Sequence, residues 1–466
     1  MAPKFGTSGL RGLVTELTDD LVSAHVAAFC AACPTGTGLW VGRDLRPSSP
    51  ALAATVARAA RSAGLAVTDA GAVPTPALAM AAMADGAAAV MVTGSHIPAD
   101  RNGLKFYTPA GELTKAGEAA ILAALGGAVP ASPGPAPVPR DGAGAAWVAR
   151  VAAAFGGRAL AGLTVGLYAH SAVGRDMLAA GLAACGARVV ELGRSETFIP
   201  VDTEAVDAAT RAQLAAWATA DKAGGGLDAI VSTDGDGDRP LLTDAAGRVI
   251  PGDVLGQITA AALGAETVVT PVSSNTGVEA GARFARVIRT RIGSPFVIAG
   301  MEAAGGRVAG YEANGGFLLG FDAEGPAGPL PALMTRDSLL PIVAVLAEAR
   351  RAGGVAARVA AEPARFTAAD RLTEVPTDRS AALVAALTAD AAARDAFLAP
   401  LGLGAASTDT TDGLRITATG GRIVHVRPSG NAPELRLYAE AESQAAADGL
   451  LAAGLARLAA ALAVAS

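Results

Sequence analysis

The sequence predicts an α/β protein built of three similar units, followed by a smaller unit of α+β type. Three observations carry this expectation. Strand-like and helix-like segments alternate from the N-terminus to about residue 360, the pattern of strands joined by crossover helices. A proline-rich stretch at residues 129–139 (VPASPGPAPVP) interrupts that alternation and reads as a semi-rigid linker. Beyond residue 361 the rhythm changes to short strands separated by Gly-Gly, the mark of antiparallel pairing. A chain of 466 residues also exceeds what one hydrophobic core supports.

The expected units are residues 1–138, 139–250, 251–360 and 361–466. In the first, strands are expected at 38–42, 65–69 and 87–92, with a helix at 49–63 and another from Ala77. The second carries strands at 163–168, 187–192 and 227–232. The third carries strands at 267–270 and 286–289 and a helix after Thr335, whose hydroxyl could cap the first turn. The last has strands at 413–417, 422–426 and 434–439, then a helix over 450–465 that Gly454 and Arg457 make amphipathic rather than membrane-spanning.

Composition excludes several classes. The net charge is -6 and the isoelectric point about 5.4, so no basic field draws the chain to nucleic acid or an anionic membrane. The N-terminus lacks the apolar stretch of a secretory signal, and three cysteines make no disulfide framework. Cys30 and Cys33 form a CxxC inside a helical run with no second pair, which reads as packing. A reduced, cytosolic protein is expected, a monomer or small homo-oligomer.

Chemistry gathers in the loops that follow strands. Residues 92–107 read VTGSHIPADRNGLKFY: a buried strand breaks into a loop displaying Ser95 and His96, then a turn signal at 100–103, then another strand. Taken alone, this loop is equally readable as a polar turn. Residues 233–239 read TDGDGDR. Three carboxylates at alternate positions, separated by glycines, suit a hard divalent cation. An EF-hand fails, because its sixth position would be Arg239 and its twelfth Ala245.

Residues 426–433, VRPSGNAP, combine a guanidinium, a hydroxyl and a glycine turn, the parts of a phosphate cradle or of a plain hairpin. Arg436 could add a second fork. Residues 310–316, GYEANGG, offer a carboxylate and an amide for sugar hydroxyls, or a structural turn. Lysine occurs only at positions 4, 105, 115 and 222, which makes Lys105 beside the serine loop informative. One nucleophile, one metal cluster and several phosphate-type loops together describe phosphoryl transfer on a phosphosugar.

The set FGTSGLRG, VTGSHIPADRNGLKFY, DGDGDR, GYEANGG and RPSGNAPELR resembles the α-D-phosphohexomutases, in order and across nearly the whole chain, and most resembles their bacterial phosphomannomutase members. The resemblance implies four domains around a central cleft. It also implies a phosphorylated Ser95, and Mg²⁺ held by that serine with Asp234, Asp236 and Asp238. Arg11 and Lys105 would assist proton transfer, with His96 beside the nucleophile as a loop-shaping residue or proton shuttle. Arg239 would reach the centre from the metal loop. Glu312 and Asn314 would recognise the sugar, and Arg427, Ser429, Gly430 and Asn431 the distal phosphate. Substrates would be small hexose phosphates, with hexose 1,6-bisphosphate as intermediate and activator. Mannose phosphates come first, with phosphoglucomutase, dual, glucosamine-phosphate or phosphatase activity as alternatives. Two departures stand out: Ile97 where many relatives have Asn, and Gly316 where several have His.

Overall fold

A computed structural model describes residues 3–6, 8–127, 133–220, 226–429 and 433–464. The first unit holds a mixed sheet in which Leu39–Arg43, Val67–Ala72 and Ala88–Val92 run parallel, the first and last of them buried and Val67–Ala72 mostly half-buried. The small and branched apolar residues of the two buried strands fit burial on both faces between helices. Arg101–Thr108 then pairs antiparallel with Ala88–Val92 on one side and with Leu10–Leu13 on the other. That pairing corrects the expected turn at 100–103. Arg11 lies opposite Gly103 and Leu13 opposite Arg101, so a non-local ladder extends the strand through residues that look like a local turn.

The second and third units repeat the theme. Thr164–Tyr168 lies between Arg188–Leu192 and Ala229–Thr233, all parallel, with Pro240–Leu242 antiparallel at the edge. Thr267–Pro271 lies between Arg286–Thr290 and Val308–Tyr311, extended by antiparallel Phe317–Leu319 and Leu333–Asp337. Thr335 belongs to the last of these strands. The helix Leu339–Ala352 starts later, and the Asp337 carboxylate, not Thr335, accepts from the amides of Leu339 and Leu340 at 3.0 and 3.4 Å.

The C-terminal unit is a five-stranded antiparallel sheet. Its order is Phe366–Leu372, Leu435–Ala441, Ile423–Pro428, Leu414–Ala418, Ala405–Asp409. The sequence showed the three middle strands and missed both edges, whose residues are mostly half-exposed and carry no alternation to read. The helix Gln444–Val464 is long and apolar enough to cross a membrane by composition, with mean hydropathy 1.5 over Gln444–Ala463. It instead packs Ala447, Leu450 and Leu458 into this unit's core. Cys30 is packed in the helix Asp19–Ala32, where burial pushes its thiol up to about 12.

Candidate active site

Ser95 sits on the loop after the strand Ala88–Val92, fully buried, with φ at +55°. A left-handed backbone at a non-glycine residue costs on the order of 1–3 kcal/mol and persists only where the surroundings impose it. Here Arg46 imposes it. Its guanidinium donates to the carbonyls of Ser95 (3.0 Å), Ile97 (2.5 Å), Pro98 (2.7 Å) and Arg101 (2.9 Å), and to the Asp44 carboxylate (3.2 Å). Asp44 also accepts from Thr93 Oγ1 at 2.7 Å, and Thr93 Oγ1 accepts the Ser95 amide at 2.8 Å. Gly94 makes room for this clamp, since a Cβ there would lie 2.6 Å from Arg46 Cζ. Ile97 thus contributes its carbonyl to the loop.

The metal loop meets this serine face to face. Ser95 Oγ donates to Asp234 Oδ2 at 2.5 Å, and one oxygen from each of Asp234, Asp236 and Asp238 lies within 4.8 Å of the others. The loop's backbone is held from three sides: the Thr75 amide donates to Asp236 O (2.9 Å), Val173 to Gly235 O (3.0 Å), and Ser338 Oγ to Gly237 O (2.7 Å). Lys105 Nζ, 2% exposed, bridges Asp236 and Asp238 at 2.6 and 2.5 Å. Burial and the two neighbouring carboxylates push Asp234 well above the usual range. Burial pushes Asp236 the same way, but Lys105 outweighs it and holds that carboxyl low. Asp236 Oδ1 and Asp238 Oδ1 are buried with no hydrogen-bond partner among the described residues. Unpartnered oxygens of clustered carboxylates are the donors a divalent cation takes, so these residues fit a metal ion.

Cations ring the cluster. Arg239 lies 3.9 Å from Asp234 and 3.8 Å from Asp238, and its Nη1 donates to His96 Nδ1 at 2.9 Å. Burial and Arg239 hold the His96 imidazole well below its usual value, so it is neutral near pH 7 and serves Arg239 as an acceptor. Arg11 Nη1 donates to Gly94 O at 3.3 Å, and burial and Arg239 push the Arg11 guanidinium down to about 10.

Sequence reasoning missed Arg46 and also Arg336. From the strand Leu333–Asp337, Arg336 reaches Asp238 (3.0 Å), Glu312 (3.4 Å) and Glu112 (3.7 Å). Gly316 lets it through, because a Cβ there would lie 2.7 Å from Arg336 Cδ. For Arg46 a signal existed: Asp44-Leu45-Arg46 follows a buried strand just as the serine loop does. For Arg336 none did.

Glu312 is 3% exposed, and the Asn314 side chain accepts from the Gly316 amide at 3.0 Å, closing the turn. In the C-terminal unit, Arg427 Nε donates to Asp412 at 2.8 Å, and the amide of buried Ser429 donates to Glu434 O at 2.9 Å. Gly430 and Asn431 lie outside the described residues. Arg436 of this unit is near enough to His96 to oppose its protonation, so the unit faces the same centre.

Family models match over most of the chain: phosphoglucomutase/phosphomannomutase α/β/α domain I at residues 2–127, domain III at 251–366 and the C-terminal domain at 372–456. A phosphomannomutase of Sinorhizobium fredii is 47% identical over 98% of this chain and 99% of its own. The chain belongs to the phosphoglucomutase/phosphomannomutase family. It is therefore a mutase, an enzyme that moves a phosphoryl group within its substrate. A phosphomannomutase of Salmonella muenchen is 40% identical over 94% of this chain and 92% of its own. The fold of this mutase matches a solved phosphoglucomutase/phosphomannomutase family protein from Burkholderia thailandensis, with TM-score 0.77 and 22% identity over 98% and 97% of the two chains.

Proposed function

We propose that the enzyme is a Mg²⁺-dependent phosphomannomutase interconverting mannose 6-phosphate and mannose 1-phosphate through a phosphoserine at Ser95. The phosphoseryl O–P bond breaks as the substrate's free hydroxyl, at C6 or C1, takes the phosphoryl group. The resulting hexose 1,6-bisphosphate turns over in the cleft and returns its other phosphate to Ser95; the same bisphosphate, supplied in trace, charges an unphosphorylated enzyme. Asp234, Asp236 and Asp238 with the Ser95 oxygen are the residues that would hold Mg²⁺, which would neutralise charge on the group in transfer. Lys105 and Arg11 assist the proton's departure, Arg11 mainly as an electrostatic partner. His96 holds Arg239. Glu312 and Asn314 meet the sugar, and Arg239, Arg427, Ser429, Gly430 and Asn431 the distal phosphate. The four domains are taken as 1–138, 139–250, 251–360 and 361–466, and the free thiols suit a reducing cytosol.

One observation carries this reading: a buried serine hydroxyl 2.5 Å from a carboxylate of a three-carboxylate cluster that keeps two oxygens without hydrogen-bond partners among the described residues. The names of the two relatives, at 47% and 40% identity, support mannose as the sugar. The test is ³¹P NMR of the enzyme with Mg²⁺, a trace of hexose 1,6-bisphosphate, and mannose, glucose or glucosamine 1-phosphate in separate tubes. Conversion of the mannose ester to its 6-phosphate, at least as fast as the others, is expected. Faster glucose turnover would make it a phosphoglucomutase, and released inorganic phosphate a hydrolase.

A further inference from the structure

Between the second, third and C-terminal units lies a cavity of about 390 Å³, against Ala313 of the 310–316 loop and of the size that takes a small ligand. Its walls include Glu204, Asp253, Ala313, Arg415, His425 and Tyr438. Three of these keep buried polar atoms without hydrogen-bond partners among the described residues: Asp253 Oδ1, His425 Nδ1 and the Tyr438 hydroxyl, on residues 2%, 1% and 8% exposed. His425 Nε2 is 2.6 Å from Asp412 O and, in the neutral ring, donates to it, which leaves Nδ1 as an acceptor. Walls that offer both donors and acceptors without partners suit a hydroxyl-rich guest, since each hydroxyl can donate and accept, as in the sugar part of a phosphosugar.

The segment that carries Glu204 is built to present it. Asp202 Oδ1 accepts the amides of Glu204 (3.1 Å) and Ala205 (3.3 Å), a turn that sets the backbone. Thr203 Oγ1, on a residue 6% exposed, donates to Asn314 O at 2.8 Å and pins the segment to the sugar loop. The surrounding carboxylates are committed. Glu312 is taken by Arg336 (3.4 Å), Asp202 by its turn and by Arg371 (3.7 Å), and Glu434 by Arg371 (3.5 Å) and Arg436 (3.3 Å). The Glu204 carboxylate alone in this group makes no hydrogen bond or ion pair among the described residues. Burial and the nearby Asp202 raise its proton affinity, while Arg436 and Arg239 oppose that.

We infer that Glu204, from the second unit, is a specificity residue whose carboxylate accepts hydrogen bonds from hydroxyls of the bound hexose, beside the sugar loop of the third unit. This rests on the mutase reading above. A carboxylate on the residue after Thr203, whose hydroxyl ties the segment to the sugar loop at 2.8 Å, and with neither oxygen paired among the described residues, can take two adjacent hydroxyls at once, and it repels the phosphate ends toward the arginines.

The test compares wild type, Glu204→Gln and Glu204→Ala by steady-state kinetics with mannose 1-phosphate and its 2-, 3- and 4-deoxy analogues. Thermal melts show that each variant is folded. For Glu204→Ala a rise in KM of about 10- to 100-fold is expected, as for loss of a hydrogen bond to a charged group, with kcat changed about threefold at most. Glu204→Gln, which keeps one acceptor oxygen, should fall between. With the two deoxy analogues that lack one or the other of those adjacent hydroxyls, the gap between wild type and Glu204→Ala should narrow, and with the third it should persist, which a merely structural role would not produce. An unchanged KM, or an equal loss on all three analogues, overturns the inference while wild-type turnover leaves the mutase reading standing. Should wild type turn over no hexose phosphate, that reading fails by itself. Calorimetric titration of mannose 1-phosphate then decides for Glu204: binding at least about tenfold weaker in Glu204→Ala supports it, and equal or absent binding overturns it.

Discussion

The three α/β units and the C-terminal unit are joined to their neighbours in different ways. Trp40, Leu78, Trp147, Leu167, Leu255 and Leu340, drawn from all three α/β units, belong to one continuous apolar cluster. The C-terminal unit keeps its own cluster around Leu414, Val424, Leu437 and Leu458. Its described ties to the rest include several polar ones: Asn275 Nδ2 to Arg365 O at 2.6 Å, the Thr276 amide to Glu440 at 3.1 Å, the Ile292 amide to Asp412 at 2.9 Å, and Arg371 to Asp202 at 3.7 Å. Opening a shared core exposes apolar surface at about 25 cal/mol per Å². Polar contacts exchange with water at a small net cost. The contrast teaches that Ser95 and the metal loop rest on a common core, while the unit that carries Arg427 is the one whose swing would cost least.

Substitutions on the fixed side should therefore strike kcat, and those on the swinging side KM. The largest effect is expected for Ser95→Ala: turnover falls by about 10⁴-fold or more with melting nearly unchanged. Substantial residual mutase activity would sink the phosphoserine route. Next in size, Trp147→Ala, whose indole is 1% exposed and donates to Asp337 at 3.1 Å, should cost about 3–5 kcal/mol in a single transition. Leu437→Ala should split off an early transition for the C-terminal unit, and calorimetry reads both. Were Leu437→Ala to melt in one step, the two-core contrast would be wrong.

At the seam, Asp253 is raised to about 7, chiefly by burial, against 3.8 for a free carboxyl. The folded state prefers its protonated form. The stability that form confers is complete below 3.8 and is lost as pH rises through about 7. Wild type should lose on the order of 3 kcal/mol between pH 5 and pH 8 from this group. Asp253→Asn should flatten that decline in urea titrations, and an unaltered slope would remove Asp253 as its source. Arg46→Lys keeps the charge but not the fork, so kcat should fall about 10²-fold with KM little changed. A loss carried by KM instead would mean the serine loop is not held by Arg46. The smallest effect is expected at Asp412, which holds Arg427 on one oxygen and Ile292 on the other. Asp412→Asn should raise KM about tenfold at nearly constant kcat; a drop in kcat alone would place Arg427 on the fixed side.

The sequence by itself determined the order of strands and chemical loops. Apolar runs ending in Thr93-Gly94-Ser95 or Thr233-Asp234-Gly235 state locally that a strand stops and a functional loop starts. Alternate carboxylates state locally that a cation is wanted, and Asp234, Asp236, Asp238 and Lys105 do meet at Ser95. Tertiary structure alone decided which isolated residues complete those loops. Arg46 serves carbonyls about 50 positions away, Arg336 an aspartate nearly 100 positions back, and the Glu204 carboxylate makes no hydrogen bond or ion pair among the described residues while its neighbouring carboxylates are paired. It also decided that Arg101–Gly103 joins a strand and that one core spans three units while the fourth keeps its own. Periodicity and turn chemistry act over a few residues and so are written in the chain. Pairing across a sheet, the partner of a buried charge and the continuity of a core depend on the packing of distant segments, which no short stretch contains.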